Sequence, residues 1–130
     1  MALGLFVLRL GMGGLLIYGH GLPKLLGFSA RAGRFSDPLG IGPPASLALA
    51  VFAEVACAFL VTIGLATRLA ATVLVGLFAV IFFIHHAADP FKEKELAMAY
   101  LVPSLAILLT GPGPLSLDAW LARKLGRGKS

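Results

Sequence analysis

Hydrophobic and polar residues do not alternate along this chain; the hydrophobic ones run in blocks. The first block covers about residues 3–22 and includes "LFVLRLGMGGLLIYGHGL", interrupted only by Arg9, Tyr18 and His20. A second, about 44–65, opens after "GIGPP", where Pro43 and Pro44 suit the first turn of a helix. A third, about 68–85, follows a tight turn at "GLATR", and a fourth, about 95–110, is short and carries Pro103, which should kink it. Crossing the roughly 30 Å hydrocarbon core takes about 20 mostly apolar helical residues. The pattern predicts an all-α integral membrane protein: a four-helix bundle forming a single transmembrane domain over residues 1–130.

Two further segments are too polar or too short to span. "SARAGRFSDPLGIGPP" joins the first two blocks, and Ser29 in it is placed to cap a short surface or re-entrant helix ending before Pro38. "GPGPLSLDAWLARKL" stops the fourth block with Pro and Gly. There Ser116 is a candidate cap for a C-terminal interfacial amphipathic helix, with Leu117, Trp120, Leu121 and Leu125 towards lipid.

Composition sharpens this picture. The chain is 58% hydrophobic and 13% charged, whereas a soluble domain is roughly half apolar and about a quarter charged. A soluble fold of this size could not bury that surplus in one core. The net charge of +5 lies in loops and in the tail "ARKLGRGKS", where it meets lipid phosphates. No basic surface interleaved with aromatics suggests nucleic acid. The single cysteine, Cys57, excludes an internal disulfide and a Cys-x-x-Cys pair. Ala30-Arg31-Ala32 resembles a signal-peptide cleavage site, but no basic region precedes the first block, which is expected to be retained. Basic residues divide evenly between the two sides, while Asp37, Asp89, Glu93 and Glu95 share one. Both termini are expected on the cytoplasmic face of the cell inner membrane.

The candidate chemistry comes from charges inside the blocks. Arg9 lies about six residues, roughly 9 Å, from one membrane face, and Glu54 about eleven residues, roughly 16 Å, from the same face. Ionised groups at such depth face the bundle interior and pair, so Arg9 and Glu54 are expected to meet, either as a proton-handling pair or as a clasp that fixes helix register. His20, Lys24, His85, His86, Glu95 and Tyr100 gather towards the opposite side. Neighbouring His85 and His86 would point about 100° apart on a helix, so at most one faces the bundle centre. The three histidines lack compact ligand spacing, and no metal site is expected. A hydrogen-bonding, proton-exchanging site for an amphipathic ligand suits these residues better. No nucleophile elbow, phosphate loop or dinucleotide fingerprint is present. Redox chemistry would need a bound organic cofactor, a quinone or a partner subunit.

"LRLGMGGLLIYGHGLPKL", "FAEVACAFLVTIGLATRLAATVL", "FFIHHAADPF", "KELAMAYL" and "GPGPLSLDAWL" together resemble the DoxX family of small four-helix membrane proteins. DoxX-like proteins are similar to the membrane subunit of thiosulfate:quinone oxidoreductase, and some associate with sulfur-metabolism or oxidative-stress enzymes. The resemblance implies that Arg9, Lys24, Glu54, His85 and Glu95 match polar positions of the family pattern. It further implies that Arg68 anchors a turn and Asp118 caps the C-terminal helix. Three functions fit: a subunit of a quinone-linked oxidoreductase system, with Arg9, Glu54 and His85 carrying the chemistry and His20, Lys24, His86, Glu95 and Tyr100 binding ligand; a non-enzymatic membrane anchor for a redox partner; or a small-solute transporter. The quinone would be held without a covalent bond. Expected partners are the lipid bilayer, a soluble or membrane redox subunit, and further copies of the chain.

Overall fold

The computed structural model describes residues 2–35, 37–85 and 87–127. The described residues are helical wherever they are regular. Helix α1 spans Ala2–Leu26, α2 Phe28–Arg31, α3 Pro43–Ile63, α4 Thr67–His85, α5 Phe91–Thr110 and α6 Leu117–Arg127. Three of them, α1, α3 and α4, are long and apolar enough to cross a membrane. The first turns of α5 hold Lys92, Glu93, Lys94 and Glu95, and the helix then runs on through Pro103.

The hydrophobic blocks fold as predicted in outline, with differences at the ends that follow from proline chemistry. The first hydrophobic block ends at about Leu22, just before Pro23, which has no N–H to give to the preceding turn. Instead a π-helical turn at Ile17–Gly21 carries the chain into Pro23, and the helix continues one more turn to Leu26. Lys24 therefore stands on the helix itself. Ser29 lies inside α2 rather than capping it; Gly27 precedes that helix, and no side chain caps it.

Small residues bring α1 and α3 close together. A β-carbon on Gly13 would strike Ala58 and Thr62 of α3, and one on Gly21 would lie 2.6 Å from the Glu54 carbonyl oxygen. Such close approach is how helices gain packing energy when lipid and side chains are equally apolar. Leu16, Ala53, Val61, Ala71, Leu74 and Ile107 fill the core between α1, α3, α4 and α5. Leu3, Leu15, Leu69 and Leu109 point outward and are exposed, the inverse of a soluble bundle's surface.

The α3–α4 turn is built on two left-handed residues, Gly64 (φ 75°) and Ala66 (φ 48°). The N–H groups of Gly64 and Leu65 both donate to the Leu60 carbonyl and close the last turn of α3. Asp118, from the first turn of α6, accepts from the N–H groups of Ala66 (2.8 Å) and Thr67 (2.9 Å). It therefore caps α4, not the C-terminal helix. Ser116 caps α6, its Oγ accepting from Ala119 N–H at 3.1 Å. The Arg68 guanidinium lies against Gly111, in the space a side chain there would need.

Candidate functional site

Arg9 and Glu54 do not meet. The Arg9 guanidinium is 1% exposed. Its NH1 donates to the Val61 and Thr62 carbonyls at 3.2 and 3.1 Å, and its NH2 donates to the Leu115 carbonyl. Two of those acceptors are among the last carbonyls of α3, where a cation complements the helix dipole. Phe6 lies beneath the guanidinium, 5.7 Å from ring centroid to Cζ. The register explains the separation. Gly21, not Arg9, sits opposite Glu54, and about twelve residues of α1, roughly 18 Å, lie between them.

The partner of Glu54 is Lys24. Lys24 Nζ donates to Glu54 Oε2 at 2.6 Å, with the carboxylate side chain 3% exposed and the lysine 18%. Lys24 follows Gly21 by three residues, so the turn that lets the helices touch also delivers the ammonium to the carboxylate. Burial makes the pair costly to break from one side alone.

The pair faces a cavity of about 390 Å³ between α3 and α4, roofed by the α2–α3 loop. Leu49, Ala53, Leu77 and Val80 form its apolar walls, and His85 stands at its rim with Phe35 and Leu39 of the loop overhead. Asp37 holds that loop in place. It accepts from the N–H groups of Ile41 (2.9 Å) and Gly42 (2.8 Å) and from Ser46 Oγ (2.8 Å). Those bonds, Ser46 first, hold the Asp37 carboxyl below its ordinary value. At Asp118 burial pushes the carboxyl upward, but the Thr67 and Ala66 N–H groups and the nearby Arg9 charge bring it below the ordinary value.

The remaining predicted residues divide. His20 meets the Tyr100 ring edge-on at 5.5 Å, and Tyr100 stacks on Phe78 at 5.3 Å. Tyr100 is within electrostatic reach of Glu54, although neither it nor His20 lines the cavity. Glu95 is exposed in the early turns of α5 and does not line the cavity either. His86 lies outside the described residues. Among the described residues, no three His, Cys, Asp or Glu side chains group as metal ligands would.

One feature has no signature in the sequence pattern. The three long apolar helices each contain a π-helical segment, Ile17–Gly21, Phe52–Cys57 and Ile81–His85. These hold His20, Glu54 and His85 respectively. A π turn inserts an extra residue and redirects side chains, and such turns concentrate at functional sites.

The DoxX family model matches residues 4–87, from the start of α1 to just beyond α4. Every residue lining the cavity falls within that stretch, as does Arg9. No curated protein and no solved structure matches the chain.

Proposed function

The chain belongs to the DoxX family of membrane proteins, and from that premise we propose that it is the membrane subunit of a quinone-linked oxidoreductase system, with the cavity between α3 and α4 as its quinone site. We take α5 as the fourth crossing of a four-helix bundle in the cell inner membrane, with α6 lying at the interface. The observation that carries the reading is the cavity itself: apolar walls around a buried Lys24–Glu54 pair, with His85 at the rim. Its volume is that of a small-molecule site, and a few convergent polar groups in an apolar pocket are what orients an amphipathic ligand.

A bound quinone would supply two-electron, two-proton carrier chemistry. The chain's own part is to bind and to handle protons. Lys24 Nζ has donor capacity beyond its bond to Glu54 and can turn it to a ring oxygen. Glu54 holds that ammonium in place at the cavity wall. His85, at the rim, is placed to pass protons between the site and the aqueous side. Arg9 is a positioning residue in this account, because its donors are committed to the end of α3 and to the loop before α6. A soluble or membrane-bound redox subunit would supply or receive the electrons.

Mass spectrometry of small molecules extracted from the purified protein tests this directly. The expected result is a stoichiometric quinone in the wild type that is lost from Glu54→Gln and from His85→Ala while both variants stay folded. An empty wild-type protein, with Glu54→Gln losing only thermal stability, would make the pair a purely structural clasp and the chain a membrane anchor.

A further inference from the structure

The end of the bundle remote from the cavity carries positive charge with no counter-charge of its own. Arg68 opens α4 with its guanidinium against Gly111. Arg123 NH1 donates to the Pro114 carbonyl at 3.4 Å, and Lys124 Nζ lies 4.9 Å from the centroid of the Trp120 ring. All three side chains are exposed, and none forms an ion pair among the described residues. Asp118, the one acid in α6, turns both carboxylate oxygens to the N–H groups of Ala66 and Thr67. Asp37, Asp89, Glu93 and Glu95 all belong to the opposite end.

The arrangement of α6 says what would supply the missing charge. Helical spacing puts Leu117, Trp120, Leu121 and Leu125 on one face, with Lys124 in its middle and Arg123 at its edge. Trp120 is 48% exposed and Leu125 66%, so the fold leaves this face uncovered. Bulk water would leave the leucines and the indole wet. An apolar groove on another protein would have to strip water from the Lys124 ammonium without pairing it. A lipid surface satisfies both demands: acyl chains meet the apolar residues, and the lysine stem carries its charge up to a phosphate. A headgroup with no ammonium of its own leaves that phosphate charge free for the three cations.

We propose that this end of the bundle is a binding site for an anionic phospholipid headgroup, held by Arg123 and Lys124 of α6 with Arg68 at the start of α4. The site stands independently of the quinone reading. Trp120 is the chain's single tryptophan, so its fluorescence reports this face alone. The test places the full-length protein in phosphatidylcholine nanodiscs with a minor fraction of acyl-brominated lipid, either phosphatidylglycerol or phosphatidylcholine. Bromine quenches tryptophan only at close range, so the quenching measures which lipid gathers at α6.

Half-maximal quenching is expected at a roughly tenfold lower mole fraction of brominated phosphatidylglycerol than of brominated phosphatidylcholine, from the attraction of basic residues to anionic lipid. High salt should shrink that preference. The double variant Arg123→Gln, Lys124→Gln should bring the two lipids to within about twofold of each other. Its thermal midpoint and its quenching by brominated phosphatidylcholine should match the wild type. Equal quenching of the wild type by both lipids would make α6 an interfacial helix with no headgroup site and overturn the proposal. Quenching by neither would show the face covered by something other than lipid, and would overturn it too. A preference that survives the loss of both cations would overturn the assignment to Arg123 and Lys124.

Discussion

A guanidinium that is 1% exposed in an apolar helix needs a reason, and the reason for Arg9 is three carbonyls rather than a carboxylate. Arg9→Ala would leave the end of α3 and the Leu115 carbonyl without their donor, at a cost of roughly 3 kcal/mol or more. A fall in the thermal midpoint in detergent, only partly restored by Arg9→Lys, is the expected outcome. Lysine keeps the charge but cannot fork to two chain segments at once. Lys24→Met should also destabilise by about 3 kcal/mol, because it strands a carboxylate that is 3% exposed. Adding Glu54→Leu to it should recover much of that loss. The correct pairing is measurable as well: a double-mutant cycle between Lys24 and Glu54 should show coupling above about 1 kcal/mol, while Arg9 and Glu54 should be additive within about 0.5 kcal/mol.

At the scale of elements, the register between α1 and α3 places the site, and glycine sets that register. Gly21→Ala would drive a methyl group to 2.6 Å from the Glu54 carbonyl oxygen, costing about 1–3 kcal/mol as the helices part. Quinone retention should fall with it. The sequence showed which segments would be helical, because apolar blocks of membrane-spanning length are hard to mistake. It could not show register. Counting residues in from a membrane face put Arg9 and Glu54 within reach of each other, since that count knew nothing of the Gly21 contact or of the extra turn of α1 beyond Pro23. Nor does any pattern of apolar positions announce the π turns at His20, Glu54 and His85.

The connections between elements rest on Asp37 and Asp118, both with carboxyls held below their ordinary values. Groups depressed in this way stabilise the fold fully above the unfolded carboxyl value of about 3.9, and that stability is lost as pH falls through the folded values. The thermal midpoint should therefore stay level from neutral pH to about 5 and drop below about 4. Asp118→Asn should lose part of that acid dependence and cost about 1 kcal/mol at neutral pH, as expected for a weakened helix cap.

For the whole molecule, the apolar outer surface, the three helices long and apolar enough to cross a membrane and the DoxX match together describe a membrane protein. That much was legible from composition and block length. Lys24, Glu54 and His85 were each visible as polar residues in or beside apolar blocks. Their convergence on one cavity was not, because it depends on three helices and a loop packing at once. The C-terminal segment serves the bundle from a distance: Leu115 and Asp118 tie the start of α6 to Arg9 and to the α3–α4 turn. Beyond those ties, Lys124 lies over the Trp120 ring at 4.9 Å.

The central claim is that a quinone sits between α3 and α4 with its ring against the Lys24–Glu54 pair. The most direct measurement is photo-crosslinking in native membranes with a diazirine-bearing quinone, followed by peptide mapping. Label on the cavity-lining stretches 46–54 and 73–85, suppressed by excess unmodified quinone and absent in Glu54→Gln, is the predicted result. Label spread over the outward face of α1, or unaffected by competitor, would contradict the claim.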